Sequence, residues 1–429
     1  MLTLRYVLFA LLTSLALTAA SEVLLEAQSA GIGRRRAVRA PSIGLEIHEL
    51  AGYDPALGTT GDLAPFDAIV GDASVVGLGE SWHTSGGFYL MKHRLFRYLV
   101  ERKGFRAFAI ESNWEAVERT NAYVQTCSGT PEDAISEQYV VWRSTEYAGL
   151  VRWMCEWNRA HPDPADRLTA FGFDIQQPER DGPALAALLG QFGVPQDDPR
   201  LQGLRSCEQA FGLAHPFGEI PPAVHATCLE ALSGVESFLQ TNRTTIVEQT
   251  SEEAFDIAML RVIGLRANQE ETFEIRDDFA KGFNYRDEAM AYAFHVRRAM
   301  KAPDAKTALW AADVHLAQNE LPNGERPLGS HLEAALGTDF VSFAITAYET
   351  EVPRGPGICG LAERKPGSAE ERLAAYGHQT LLARPWGGWR QDEVMPLGFF
   401  TFRPFADFDA VFFLRHSPSM HPLTYPGCR

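Results

Sequence analysis

Five consecutive residues, Gly79-Glu80-Ser81-Trp82-His83, set an imidazole three positions after a carboxylate. A carboxylate that holds an imidazole in one tautomer makes it a better general base, so this pair suits taking a proton from water. The ExxH spacing is short, and a satisfied structural histidine reads the same way. Its surroundings add weight: a strand pattern ends just before it, a helix pattern begins just after it, and Glu111 closes the next strand pattern, where it could approach the same point. A helix N-terminus beside His83 should also disfavour the imidazolium, leaving a neutral ring able to accept a proton.

The elements that must position these groups follow from periodicity. Residues 73–78 are an apolar run, and Phe88, Met91, Leu95 and Leu99 then recur at helical spacing, with Lys92, Arg94, Arg97 and Arg102 off that stripe. Gly104 stops the helix. Residues 105–110 form a buried-strand pattern ending at Glu111, and a second helix begins near Trp114. A strand, helix, strand unit implies parallel strands joined by a right-handed crossover. The alternation returns at residues 168–173 before Asp174, at 307–312 before Asp313, and at 340–346 near Tyr348. Ligands of open α/β sheets bind along the edge where strands end, so these termini mark the expected site. Residues 178–305 carry no convincing strand but several long amphipathic patterns, including 222–239 and 252–273, which predicts a helical insertion over that edge. Residues 398–403 and 409–415 look like two further strands. The expected fold is α/β, with a mixed, mainly parallel central sheet flanked by helices, in one domain over residues 45–425.

With 429 residues, 45% of them hydrophobic, the chain can bury a large core. A formal net charge of -16 opposes binding to phosphate backbones, so nucleic acid is not expected as a partner. The one dense basic run, Arg34, Arg35, Arg36 and Arg39, lies in a polar stretch over residues 21–44 that reads as a solvated linker. Arg5, the apolar run at residues 6–17, and then Thr18, Ala19 and Ala20 have the form of a secretory signal peptide over residues 1–20. The run is short for a bilayer span. An exported protein, periplasmic or extracellular, without stable membrane insertion and monomeric, is the expectation. Six cysteines, Cys127, Cys155, Cys207, Cys228, Cys359 and Cys428, fit an oxidising compartment. Cys207 with Cys228 and Cys359 with Cys428 are two conceivable staples among fifteen connectivities, and buried free thiols are the alternative.

Residues 76–124 resemble the signature region of the erythromycin esterase-like family: GESxH, a basic helix, Gly104-Phe105, and a strand ending in Glu111. Further similarity lies in Val141-Trp142-Arg143-Ser144-Thr145-Glu146, Phe171-Gly172-Phe173-Asp174, Tyr285-Arg286-Asp287-Glu288-Ala289-Met290-Ala291, the stretch at 310–315, and Phe408-Asp409-Ala410. The resemblance covers residues 60–415 and implies hydrolysis of a small-molecule ester or lactone, a macrolide lactone in the best-known members, by water activated at the GESxH histidine without a cofactor or an obligatory metal. It implies His83 as base, Glu80 and Glu111 as site carboxylates, and His315 as the second histidine of a WAHNxH pattern.

Two positions depart from the family pattern. Lys92 stands where Arg is usual, which keeps the charge but loses the planar fork. Ala312 stands where WAHNxH has its first histidine, and a methyl group can neither move a proton nor donate a hydrogen bond. Lys92, Trp142, Arg143, Asp174, Arg286 and Asp313 are the candidate substrate-binding residues. For several a structural role competes: Asp174 and Asp313 as helix caps, Trp142 as core, and Arg286 with Asp287 as an ion pair. His93, His295 and His331 read as surface or packing residues. No G-x-S-x-G elbow or HExxH occurs. Two other readings stay open: a metallohydrolase using Glu80, His83, Glu111 and His315 as ligands, and a non-catalytic ligand-binding homologue motivated by Ala312 and Lys92.

Overall fold

A computed structural model describes residues 44–425 except 177, 215–218, 356, 363–365, 387–394, 398–399 and 404–405. The signal-peptide and linker expectations, the basic run at Arg34 to Arg39, and Cys428 lie outside the described residues, apart from Gly44 at the end of the linker range.

The molecule is built on a nine-stranded mixed sheet in the order β1-β8-β11-β6-β2-β5-β3-β4, with β7 added on β6. The strands are β1 (Gly44–Glu49), β2 (Val75–Leu78), β3 (Phe105–Asn113), β4 (Thr169–Asp174), β5 (Lys306–Trp310), β6 (Phe340–Gly355), β7 (Ile358–Leu361), β8 (Thr380–Trp386) and β11 (Ala410–Ser417). From β11 through β6, β2, β5 and β3 to β4 every neighbouring pair is parallel. The pairs β1 with β8, β8 with β11 and β6 with β7 are antiparallel. Central strands such as β2 are buried along their whole length because helices cover both faces. One apolar core packs Phe88, Leu95 and Leu99 of helix Gly86–Lys103 and Leu150 and Met154 of helix Thr145–Ala160 onto the sheet. The opposite core packs Met290 and Phe294 of helix Phe279–Lys301 onto the other face. Gly104 ends the first helix with φ of 74°, a backbone region that glycine adopts without steric cost.

Residues 181–301 are helical throughout their regular elements, from Asp181–Gln191 to Phe279–Lys301. Part of this insertion has its own core, built from Leu185, Leu204, Leu232, Val235, Val262 and Leu265. Cys207 and Cys228 are joined by a disulfide within it, and Cys127 is joined to Cys155, a pairing that fixes helix Trp114–Thr126 to helix Thr145–Ala160. Cys359 is also disulfide-bonded, so no free thiol occurs among the described residues. Among those residues no helix is long and apolar enough to cross a membrane.

Two features differ from the sequence expectation. β6 does not end near Tyr348 but continues to Gly355, because it turns into a hairpin with β7 beyond the sheet's edge. The region around residue 400 forms a small separate hairpin, β9 (Met395–Leu397) with β10 (Phe400–Phe402), while β11 enters the main sheet between β8 and β6.

The turn after β2 is tightly packed. A Cβ on Gly79 would lie 2.0 Å from Asp313 Oδ1 and 2.8 Å from the Phe343 carbonyl oxygen. Gly79 N–H donates to that carbonyl at 2.8 Å, and Ser81 N–H donates to the Ile345 carbonyl at 2.9 Å, so the turn is tied to β6. Gly79→Ala is therefore expected to lower stability by about 1–3 kcal/mol through overpacking, and to displace the following turn. Thermal unfolding checks this, and an unchanged melting temperature would contradict it.

Candidate active site

Four adjacent parallel strands, β2, β5, β3 and β4, end along one edge and deliver polar side chains there: Glu80 and His83 after β2, Asp313 and His315 after β5, Glu111 near the end of β3, and Asp174 at the end of β4. Helix Phe279–Lys301 of the insertion brings Arg286 and Asp287 to the same place.

Glu80 lies at the bottom. One carboxylate oxygen meets His83 Nδ1 at 2.8 Å and the other pairs with Lys92 Nζ at 2.9 Å. The side chains of Glu80 and Lys92 are both 0% exposed, whereas that of His83 is 38% exposed. Lys92 also donates to the Ala311 carbonyl at 3.0 Å and lies 4.5 Å from the centre of the Trp310 ring. Burial pulls its ammonium below the ordinary lysine value, with Glu80 acting in the opposite direction. Lys92 thus supports Glu80 from beneath and does not line the site's open side, because its amine is sealed in the core.

The protonation of His83 also departs from the helix-dipole expectation. Burial works against the charged ring, but the hydrogen bond to Glu80 and the charges of Glu111 and Glu80 outweigh it and raise the pKa above 6.5. The nearby helix begins at Gly86, and two carboxylates dominate a partial dipole at that distance. The loop is held by Tyr89, whose hydroxyl donates toward the carbonyl oxygens of His83 and Val141. Trp142 stands edge-on to the imidazole, with ring centres 5.2 Å apart, and its indole N–H donates to the Glu111 carbonyl at 2.6 Å. Fully buried, Trp142 is a wall behind His83 in place of the expected substrate contact.

Glu111 is surrounded by donors. Its Oε2 accepts the Ala312 N–H at 2.8 Å, and its Oε1 accepts from Arg286 Nη2 at 3.2 Å and faces His315 Nε2 at 3.3 Å. Burial alone would raise its pKa, but His315, His83 and Arg286 hold the carboxyl well below the usual range. An anion so engaged is a poor proton acceptor. His315 Nδ1 meets both oxygens of Asp287, at 2.9 and 3.0 Å. Although burial opposes the charged ring, Asp287 and Glu111 push its pKa up to about 10.

Arg286 and Asp287 do not pair with each other, because consecutive helical residues point in different directions. Arg286 instead forms a two-point pair with Asp174, Nη2 to Oδ2 at 2.7 Å and Nε to Oδ1 at 3.3 Å. Asp174 is fully buried and is neither a helix cap nor open to substrate. Asp313 is buried too, with Oδ1 accepting the Ile345 N–H at 3.2 Å. Desolvation pushes its carboxyl well above the ordinary value. Arg143 is half-buried and donates from Nε to the Gln138 carbonyl at 2.7 Å. His93 is buried beside Trp153, a packing role. One acidic group near the site escaped sequence reading. Glu271, from helix Glu252–Glu274 of the insertion, accepts from Gln176 Nε2 at 3.3 Å, and burial pushes it up to about 7. No local pattern marks it, since its environment is assembled from distant segments. Among the described residues no group of three or more His, Cys, Asp or Glu side chains is arranged to hold a metal ion.

Comparison with known proteins shows relatives in sequence and in fold. The sequence pattern that defines erythromycin esterases matches residues 100–417. Erythromycin esterase type II of Escherichia coli is 24% identical over 312 residues, covering 67% of this chain and 72% of that protein. Erythromycin esterase type I of Escherichia coli is 24% identical over 296 residues, covering 64% and 71%. An erythromycin esterase mutant, EreC, solved in its open conformation, superposes with a TM-score of 0.71 at 17% identity, covering 89% of this chain and 99% of that one. A Bacillus cereus protein gives a TM-score of 0.67 at 19% identity, covering 88% and 96%.

The Lys92 arrangement makes a prediction. Removing one partner of a buried ion pair leaves the other charge uncompensated, so Lys92→Met is expected to cost about 3–5 kcal/mol in stability. Chemical denaturation measures this. A loss no larger than that of an exposed lysine would contradict the assignment.

Proposed function

Because the chain belongs to the erythromycin esterase family and is a hydrolase, we propose that it cleaves a carboxylic ester or lactone with water activated at His83. The observation that carries this reading is the asymmetry of that imidazole: Nδ1 is held by Glu80 at 2.8 Å, while the ring is open to solvent. Nε2 is then the nitrogen left to accept a proton. Glu111 does not compete for the role, since three donors already surround it.

In the proposed reaction a water oxygen bonds to the carbonyl carbon and its proton passes to His83 Nε2. The carbonyl π electrons move to oxygen, giving a tetrahedral oxyanion. Collapse breaks the bond to the alkoxy oxygen, and the imidazolium returns its proton to that leaving group. An ester gives an acid and an alcohol; a lactone opens to one hydroxy acid. Glu80 orients the ring and stabilises its charged form, and Lys92 pairs with Glu80 within the core. The two curated relatives named above are erythromycin esterases, which supports an ester or lactone as substrate. The side chain of Ala312 is only a methyl group and its N–H is taken by Glu111, so the oxyanion must be held by other donors.

Export is part of the same proposal. It is supported by the leader pattern of residues 1–20 and by the disulfides Cys127–Cys155 and Cys207–Cys228, which persist in oxidising compartments.

His83→Ala is expected to lower kcat/KM by about 10²–10⁴ on a hydrolysed ester. Since the working base is the neutral ring and its pKa is raised, activity should climb with pH through a midpoint above 6.5. Glu80→Gln removes one of the two carboxylates that raise it, so the midpoint should move down while kcat falls. A pH–rate series on both proteins tests this; full activity in His83→Ala, or an unmoved midpoint in Glu80→Gln, contradicts the reading.

A further inference from the structure

A loop that carries a base has to be fixed on both sides of it, because a misplacement of about 1 Å at the reacting atoms can cost about a hundredfold in rate. On the near side of His83 the ties are to β6, through Gly79 and Ser81, and to Glu80. On the far side Thr84, Ser85 and Gly86 lead into helix Gly86–Lys103, and the C-terminal part of the chain holds them. After β11 the backbone continues as a strap over residues 417–423. The Gly86 N–H donates to the Pro418 carbonyl at 2.8 Å, and the Met420 N–H donates to the Thr84 carbonyl at 2.9 Å. The hydroxyls of Ser85 and Ser417 are hydrogen-bonded to each other, and both residues are fully buried. The same strap then reaches the segment that carries Trp142. The Thr145 N–H donates to the His421 carbonyl at 3.0 Å, and the Leu423 N–H donates to the Arg143 carbonyl at 2.8 Å. Met420 is buried in the core and pins the middle of the strap. One stretch of backbone therefore joins the His83 loop to the wall behind its imidazole.

Glu146 is the side chain at this junction. It lies in the first turn of helix Thr145–Ala160, and its side chain is 7% exposed. The His421 N–H is 3.1 Å from each of its oxygens, and His421 Nδ1 meets Oε1 at 2.6 Å. The His421 ring itself is 75% exposed, so the backbone bond is the shielded part of the clamp. The hydrolysis described above makes no use of this carboxylate. Close approach of the strap also explains a pair of glycines at a helix start. A Cβ on Gly86 would lie 3.0 Å from the Ser419 carbonyl oxygen and 3.2 Å from Glu146 Oε1, and one on Gly87 would lie 2.3 Å from Ser417 Oγ. Neither glycine has a positive φ, so space and not backbone freedom is what calls for them.

We propose that Glu146 is a positioning residue for the base: by clamping the strap of residues 417–423, it holds the His83 loop against the wall formed by Trp142. Its part is to accept, because what the strap presents to it are the backbone N–H and the ring nitrogen of His421. An amide in its place keeps one acceptor oxygen, whereas a methyl group keeps none.

This assignment rests on the hydrolytic reading, and the test separates the two. Amide hydrogen exchange of the full-length protein needs no substrate. Glu146→Ala is expected to speed exchange over residues 84–86 and 143–145 as well as in the strap, with β2 and β3 unchanged. Faster exchange confined to the strap, or none at all, overturns the clamp. Kinetics on 4-nitrophenyl butyrate and a lactone panel supply the second arm. Glu146→Ala is expected to lower kcat about ten- to a hundredfold with KM nearly unchanged, and Glu146→Gln should recover most of that loss. Gly86→Ala crowds the same junction from the other side and should reproduce the fall in kcat. An unaltered kcat in Glu146→Ala, a change confined to KM, or an equal loss in Glu146→Gln overturns the assignment. Should Glu146→Ala fail to fold by circular dichroism, Gly86→Ala carries both arms, and normal exchange or normal kcat in it overturns the assignment. If the unaltered enzyme hydrolyses none of the panel, the hydrolytic reading loses its support while hydrogen exchange still decides what Glu146 holds.

Discussion

The site depends on one buried charge arrangement: Glu80 held between Lys92 below and His83 above. A carboxylate at 0% exposure is costly unless it is paired, and an ammonium from helix Gly86–Lys103 supplies the pairing inside the core. Because Glu80 is fixed against Nδ1, the imidazole above it has one nitrogen occupied and one available. The backbone supports the same geometry. Gly79 leaves room for Asp313, and the Glu80 carbonyl accepts the Asp313 N–H at 2.8 Å, joining the ends of β2 and β5.

A second charge chain runs from Asp287 through His315 to Glu111 and on to Arg286 and Asp174. It crosses from the sheet to helix Phe279–Lys301, so the insertion contributes side chains to the cluster. Each carboxylate in the chain faces a cation, which lets several acidic groups share a small volume. Trp114, between the guanidinium groups of Arg261 and Arg297 at 4.8 and 5.2 Å from its ring centre, helps fasten the insertion to helix Trp114–Thr126.

Much of this layout was legible in the sequence because its signals are local. Apolar runs ending in Glu111, Asp174 and Asp313 marked parallel strands with polar ends, and the helical spacing of Phe88, Met91, Leu95 and Leu99 marked the helix between β2 and β3. What local patterns could not give was set by distant partners. β1 is recognisable only once β8, more than three hundred residues later, pairs with it. Lys92 lies off an apolar stripe and so reads as accessible; its burial comes from Trp310 and Glu80 on separate elements. Arg286 and Asp287 are adjacent and opposite in charge, which suggests mutual pairing, yet helix geometry sends each to a different partner. The charge preference of His83 reversed for a related reason, since the carboxylates that raise it converge only after folding.

In the proposed hydrolysis Glu80 fixes which nitrogen of His83 acts as the base. The most direct measurement is the ring tautomer of His83 in its neutral form, read by ¹⁵N NMR above its titration midpoint. The expected result is a hydrogen on Nδ1, facing Glu80, and an unprotonated Nε2. A hydrogen on Nε2, or an even mixture of the two tautomers, would contradict it.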